Sequence, residues 1–184
     1  MARSITLRSK ALIFALSALL PLGWAVQAIG ETAPPEVTAV VPQPAVAGEG
    51  QFRYLGFKVY DLDLFTSGGK RFDADAPFAL AIEYDRKIRS AVLLKASLGE
   101  LERVEGKKAD HDAIMGKLAA CYRDIAPGDR IVAAPRGANA MSFWVNGTRT
   151  CTLNHPNFRD RYMAIWMSDR ARDPAQARRL RGQG

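Results

Sequence analysis

Apolar and polar residues alternate from Gln51 to Thr66 in β-branched and aromatic company, which predicts one long strand or two strands with a bend at Gly56. Within it the stretch GFKVYDLDLF, residues 56–65, changes phase. Phe57 and Val59 share a parity with Asp61 and Asp63, whereas Tyr60 falls on the other face with Leu62 and Leu64. The apolar face therefore changes sides at Val59–Tyr60, and a bulge or a change of covering layer is expected there. Turn residues fill TSGGKRFDADAP, and Phe78–Tyr84 reads as a further strand, apolar at Phe78, Leu80 and Ile82.

Past Ile88 the period becomes helical. Ser90 is a candidate N-cap and Leu94, Leu98 and Leu101 form a stripe, so residues 90–104 are expected to be helical, with Ser97 and Glu100 as a capping-box pair marking a restart or kink. Gly106 ends that helix. Asp110 opens a second, with Ile114, Leu118 and Cys121 on one face and the acids beside His111 read as capping groups. APGD at 126–129 is a turn and RIVAAP a short strand. AMSFWVNGTRTCTL is a hairpin in which Asn146-Gly147 suits a two-residue type I′ turn, which is reason enough for the Asn-Gly-Thr sequon. A third helix is expected near Pro156, capped by Asn154 or His155, with Phe158, Tyr162, Ile165 and Trp166 as its apolar stripe. Strands, two helices, strands and a helix in that order define an α+β chain, with an antiparallel sheet carrying a helical layer on one face.

The N-terminus changes the picture of where this domain resides. Arg3, Arg8 and Lys10 precede an apolar run from Ala11 to about Val26 that is interrupted by Pro21 and Gly23 and ends in Val26-Gln27-Ala28. Residues 1–28 are read as a signal peptide cleaved near Ala28, which places the mature chain in the periplasm. Residues 29–48, rich in Pro, Ala and Val, are expected to form an extended leader in which EVTAVV adds an edge strand. The domain proper is then residues 49–168, and residues 169–184 form a basic tail. Losing the signal peptide removes three cations and no acid, so the net charge falls from +7 to +4, and the tail holds five arginines against two aspartates. A nearly neutral body without a basic, aromatic-studded face argues against nucleic acid. The tail is read as a solvated end, with contact to an anionic membrane surface as the alternative.

Two cysteines, Cys121 and Cys151, are compatible either with one disulfide in an oxidising compartment or with two separate small core residues. His111 and His155 belong to no recognisable motif, and neither metal nor cofactor is expected. Trp144 and Trp166 are assigned to packing, and Asp124, Gly128 and Asp129 to loop geometry.

Six pieces in order carry a resemblance: GEGQFRYLGFKVYD, FALAIEYDRKI, SLGEL, DIAPGD, FWVNG and FRDRYMAIWM. Over roughly residues 48–181 the chain resembles the exported bacterial branch of the chalcone isomerase-like proteins. That resemblance implies an open-faced β-sandwich, a large antiparallel sheet under a helical layer with a cleft between them. The family holds true isomerases and non-catalytic relatives, some of which bind fatty acids. In the plant isomerases an arginine upstream of the first long strand, a threonine early in it, and a later tyrosine and asparagine orient the phenoxide and stabilise the enolate. Here VVPQPAVAGEG, residues 40–50, has no arginine, and the threonine position falls close to Leu55. The catalytic set does not carry over, so no catalytic residue is assigned.

The expected ligand is small and hydrophobic or fatty-acid-like. Arg86, Tyr60, Tyr84, Arg53 and Tyr54 are the candidate ligand-binding residues, because arginine beside a phenol suits a carboxylate at the mouth of an apolar cleft. An isomerase or lyase with relocated groups, and an envelope interaction module, are the rival readings.

Overall fold

Leu55 and Gly56 both have positive φ, 49° and 82°, and this tight turn folds β1 (Pro44–Tyr54) back on β2 (Phe57–Ser67) as an antiparallel hairpin. The computed structural model describes residues 33–183, so the expected signal peptide and the first residues of the leader lie outside the described residues. Strands β3 (Phe78–Tyr84), β4 (Arg130–Pro135), β5 (Ala140–Val145) and β6 (Thr148–Asn154) continue the meander. Together the strands make one six-stranded antiparallel sheet in the order β1-β2-β3-β4-β5-β6.

The phase change in β2 is visible in the pairing. Phe52 faces Tyr60 and Arg53 faces Lys58, leaving Val59 as an extra residue between them. Beyond this bulge Leu62 and Leu64 are buried on the helix-facing side, while Phe65 is buried on the opposite side.

One face of the sheet is covered by α2 (Ser90–Glu105), α3 (His111–Ala119), α4 (Phe158–Met167) and α5 (Pro174–Leu180). Their apolar stripes, including Leu101, Ile114, Leu118, Phe158 and Leu180, meet Leu80, Ile131, Met141 and Phe143 from the sheet in the main core. Residues 32–184 form one compact unit around that core.

The start of α2 is held by a carboxylate from another loop. Asp124 accepts from the Ser90 backbone N–H at 2.9 Å and from its hydroxyl at 3.1 Å. The helix runs unbroken through Ser97 and Glu100, whose side chains turn to other partners, so the expected restart does not occur. Asn157, with φ of 54°, precedes α4, which begins two residues later than its proline implied. Asp110 makes no capping hydrogen bond. Its carboxylate and that of Glu105 flank Arg161, and each also meets a histidine, His155 at 2.8 Å and His111 at 2.8 Å. Cys121, just past α3, is joined by a disulfide to Cys151 in β6 across a Cα–Cα distance of 5.0 Å, tying the helical layer to the sheet.

Both ends of the described residues differ from expectation. Within EVTAVV no strand forms. Pro35–Thr38 is a helical turn, α1, started by proline at its first position. Val37 and Val41 fall one turn apart and fill the shallow surface left by Ala79, Ala81 and Ala134 on the far face of the sheet, beside Phe65 and Trp144. Glu36 is buried there and accepts from Arg130 Nε at 3.2 Å. Strand β1 begins at Pro44, inside the stretch read as leader. At the other end α5 is capped by Asp173 and buries Ala177 and Leu180, so much of the basic tail is packed structure and not a solvated end. No helix among the described residues is long and apolar enough to cross a membrane.

Candidate ligand-binding cleft

The β1–β3 end of the sheet presents an aromatic ladder to the helices. Phe52, Tyr60 and Tyr84 are cross-strand partners, and their ring centroids lie 5.3 Å and 5.6 Å apart. Opposite them stand Leu93 and Ser97 of α2, Tyr162, Ile165 and Trp166 of α4, and Tyr122 from the segment after α3. Between these walls is an open cleft of about 1050 Å³. On the β4–β6 side the same layers leave no such space, and Phe143 and Phe158 are both fully buried there.

Polar groups inside this apolar cleft are few and mostly engaged with one another. Ser97 Oγ lies 3.0 Å from the Tyr122 hydroxyl, which lies 3.1 Å from that of Tyr162. The Trp166 indole N–H donates to the Tyr60 hydroxyl at 3.0 Å. That bond occupies a lone pair of Tyr60 and leaves its proton without an acceptor among the described residues. The Tyr84 hydroxyl likewise has no hydrogen-bond partner among them. Two phenol protons on adjacent strands are thus available to a bound oxygen.

Burial pushes the Tyr60 hydroxyl up to about 12, against a smaller downward pull from the Trp166 indole. Burial also raises Tyr84, Tyr122 and Tyr162. These four phenols are therefore un-ionised at physiological pH. Charge is confined to the rim. Lys87, Arg89, Lys95 and Arg172 line the mouth, with Arg172 paired to Glu100 and lying over the Phe52 ring at 5.7 Å. Gln176 of α5 closes one end, accepting from the Gln51 backbone N–H at 2.8 Å.

Of the residues the sequence nominated, Tyr60 and Tyr84 form the floor and Tyr54 lies on the rim. Arg53 and Arg86 fall outside the lining. Arg86 donates to the Lys58 carbonyl at 3.2 Å and its guanidinium sits over the Phe57 ring at 5.1 Å, because Asp85–Lys87 turn outward after β3 ends. Sequence reasoning did not nominate Ser97, Tyr122, Tyr162 or Arg172, and it assigned Trp166 to packing alone. The spacing of Tyr162 and Trp166, one helical turn apart, was the available signal. Asp61 pairs with Lys58 on the hairpin, outside the cleft. Both histidines, with Glu105, Asp110 and Arg161, also lie outside the lining. No group of three His, Cys, Asp or Glu among the described residues is placed to hold a metal.

The six-stranded open sheet with its helical layer is the chalcone isomerase-like fold. The crystal structure of a fatty-acid-binding protein from Arabidopsis thaliana matches it with a TM-score of 0.61 over 78% of this chain and 89% of that one, at 11% sequence identity. At that identity the likeness is one of fold. No family model and no curated protein matches the sequence.

Proposed function

We propose that this chain is an exported, non-catalytic chalcone isomerase-like protein of the bacterial periplasm that holds a fatty-acid-like ligand in the cleft. The observation that carries the reading is the chemistry of the lining. An apolar space at the upper end of the roughly 300–1,000 Å³ usual for ligand sites ends on two un-ionised phenols whose protons have no acceptor among the described residues, with cations at its mouth. The acyl chain lies along Phe52, Ile82, Leu93 and Ile165. The carboxylate accepts from Tyr60 and Tyr84, with Lys95 adding positive charge at the rim. Neutral phenols and the missing isomerase set support binding without turnover. Export is supported by the N-terminal charge-then-apolar pattern, and the Cys121–Cys151 bridge suits an oxidising compartment. The Arabidopsis protein of the same fold is described as a fatty-acid binder, which agrees with the reading.

Mass spectrometry of a solvent extract from the purified, denatured protein tests this. A stoichiometric fatty acid or similar amphiphile is expected. An extract free of lipid, with no thermal shift on adding a fatty-acid panel, contradicts it.

A further inference from the structure

The tip of the β1–β2 hairpin is built against its own stability. The chain makes the same tight turn twice. In the β5–β6 hairpin it uses Asn146-Gly147, at φ of 48° and 80°, the pair this geometry favours. In the β1–β2 hairpin the first position, at φ of 49°, is Leu55, a residue that pays for left-handed backbone and is 80% exposed, so burial returns nothing. Its neighbours Tyr54 and Phe57 are 62% and 63% exposed, and Val92, across the cleft mouth on α2, is 51% exposed. These four are most of the large exposed apolar side chains of the described residues; three of them make up the hairpin tip, and Val92 lines the same cleft as Tyr54.

The surroundings are cationic. Arg53 and Lys58 flank the tip, Arg86 lies on the Phe57 ring, and Lys87, Arg89 and Lys95 line the mouth beside Tyr54 and Val92. The acids near them are Asp61 and Asp85, both bound to Lys58, Asp124, bonded to the start of α2, and, in the cleft lining, Glu100, bound to Arg103 and Arg172, and Asp173, which caps α5. An apolar finger with an aromatic on each side, set in a collar of lysine and arginine, complements the surface of an anionic bilayer.

We propose that this hairpin tip docks the protein on anionic lipid bilayers, with Leu55 and Phe57 inserted among the acyl chains and Lys87, Arg89 and Lys95 on the headgroups. Docked in this way, the cleft mouth opens at the bilayer surface. That a fatty-acid-like ligand then passes between bilayer and cleft rests on the reading above. The docking itself does not.

Residues 32–184 form a unit with its own core, so the test uses residues 29–184, which omit the apolar N-terminal segment. The chain is sedimented with vesicles of phosphatidylcholine and phosphatidylglycerol in a two-to-one mixture, and with phosphatidylcholine alone. Salt-sensitive binding to the anionic vesicles only is expected. Leu55→Asn with Phe57→Thr should abolish it while the melting temperature stays equal or rises, because asparagine suits the turn better than leucine. Replacing Lys87, Arg89 and Lys95 by glutamine should weaken partitioning about a hundredfold, on the order of fivefold for each cation near an anionic surface. Failure of the parent chain to sediment, undiminished binding of the hairpin variant, or a dimer in solution that needs Phe57 would overturn the proposal. Fatty-acid affinity measured without vesicles reports on the cleft separately, so loss of docking with binding retained removes this inference alone.

Discussion

Trp166 donates its indole proton to the Tyr60 hydroxyl at 3.0 Å, and in doing so frees the phenol to donate into the cleft. One side chain from α4 thereby sets the direction of a hydrogen bond offered by β2. Trp166→Phe keeps an aromatic ring and removes the orienting donor. Affinity for palmitate should fall about fivefold, in line with the ~1 kcal/mol of a typical hydrogen bond, and Tyr60→Phe in the same background should cost little more. Additive losses in a double-mutant cycle would show that the two groups act separately. With Tyr60 titrating near 12, binding should also stay level from neutral pH to about pH 10, where an ordinary phenol would already ionise.

Acid sensitivity should concentrate in the cluster around Arg161. Burial pushes the Glu105 carboxyl up, but hydrogen bonds from Arg161, His111 and Lys108 outweigh it and hold it at about 2. Hydrogen bonds from Arg161 and His155 hold Asp110 low as well. A carboxylate depressed in the folded state contributes stability above its unfolded value, here 4.5 for Glu105, and loses it as pH falls toward 2. Denaturant titrations should show stability declining through that window. Arg161→Met should flatten the decline and cost about 2 kcal/mol at neutral pH, because Glu105, nearly buried, then keeps only His111 and Lys108. A variant that keeps the parent's acid limb would contradict the assignment.

The disulfide closes a separation of 30 residues between the helical layer and β6. Removing it by Cys121→Ser with Cys151→Ser should lower the unfolding free energy by about 3 kcal/mol, measured by urea denaturation. Reductant should lower the parent to the same value and leave the variant unchanged.

A fourth expectation concerns Gly48, where a Cβ would sit 2.5 Å from the Arg179 carbonyl oxygen and from the Leu180 backbone. Gly48→Ala must push α5 off β1. A loss of about 1–3 kcal/mol is expected, with weaker ligand binding, since Gln176 and Arg172 flank the cleft from that segment. Unchanged stability and affinity would place α5 outside the functional unit.

How much of this was legible beforehand follows from the reach of local signals. Phe78–Tyr84 and Arg130–Pro135 were readable to the residue because period-two alternation and turn chemistry are local. The change of face at Val59–Tyr60 was readable for the same reason, and it marks both the bulge and the start of the cleft. What the sequence hid depends on distant partners. EVTAVV looked like a strand because valine favours one, but the alanines that leave room for a helical turn lie in β3 and β4. Arg161 resembled any surface arginine until Glu105 and Asp110 closed on it. Tyr60 and Tyr84 were recognisable as phenols near the cleft, while Trp166 looked like core, since nothing local tells an indole that packs from one that packs and donates. Arg86 was attractive by motif, and the outward turn after Tyr84 carries it to Phe57.

Calorimetric titration of delipidated residues 29–184 with palmitate tests the central claim most directly. The account predicts saturable one-to-one binding that is lost when Tyr60 and Tyr84 are both changed to phenylalanine in a protein that still melts cooperatively. No binding by the parent chain, or binding indifferent to the loss of both hydroxyls, would contradict it.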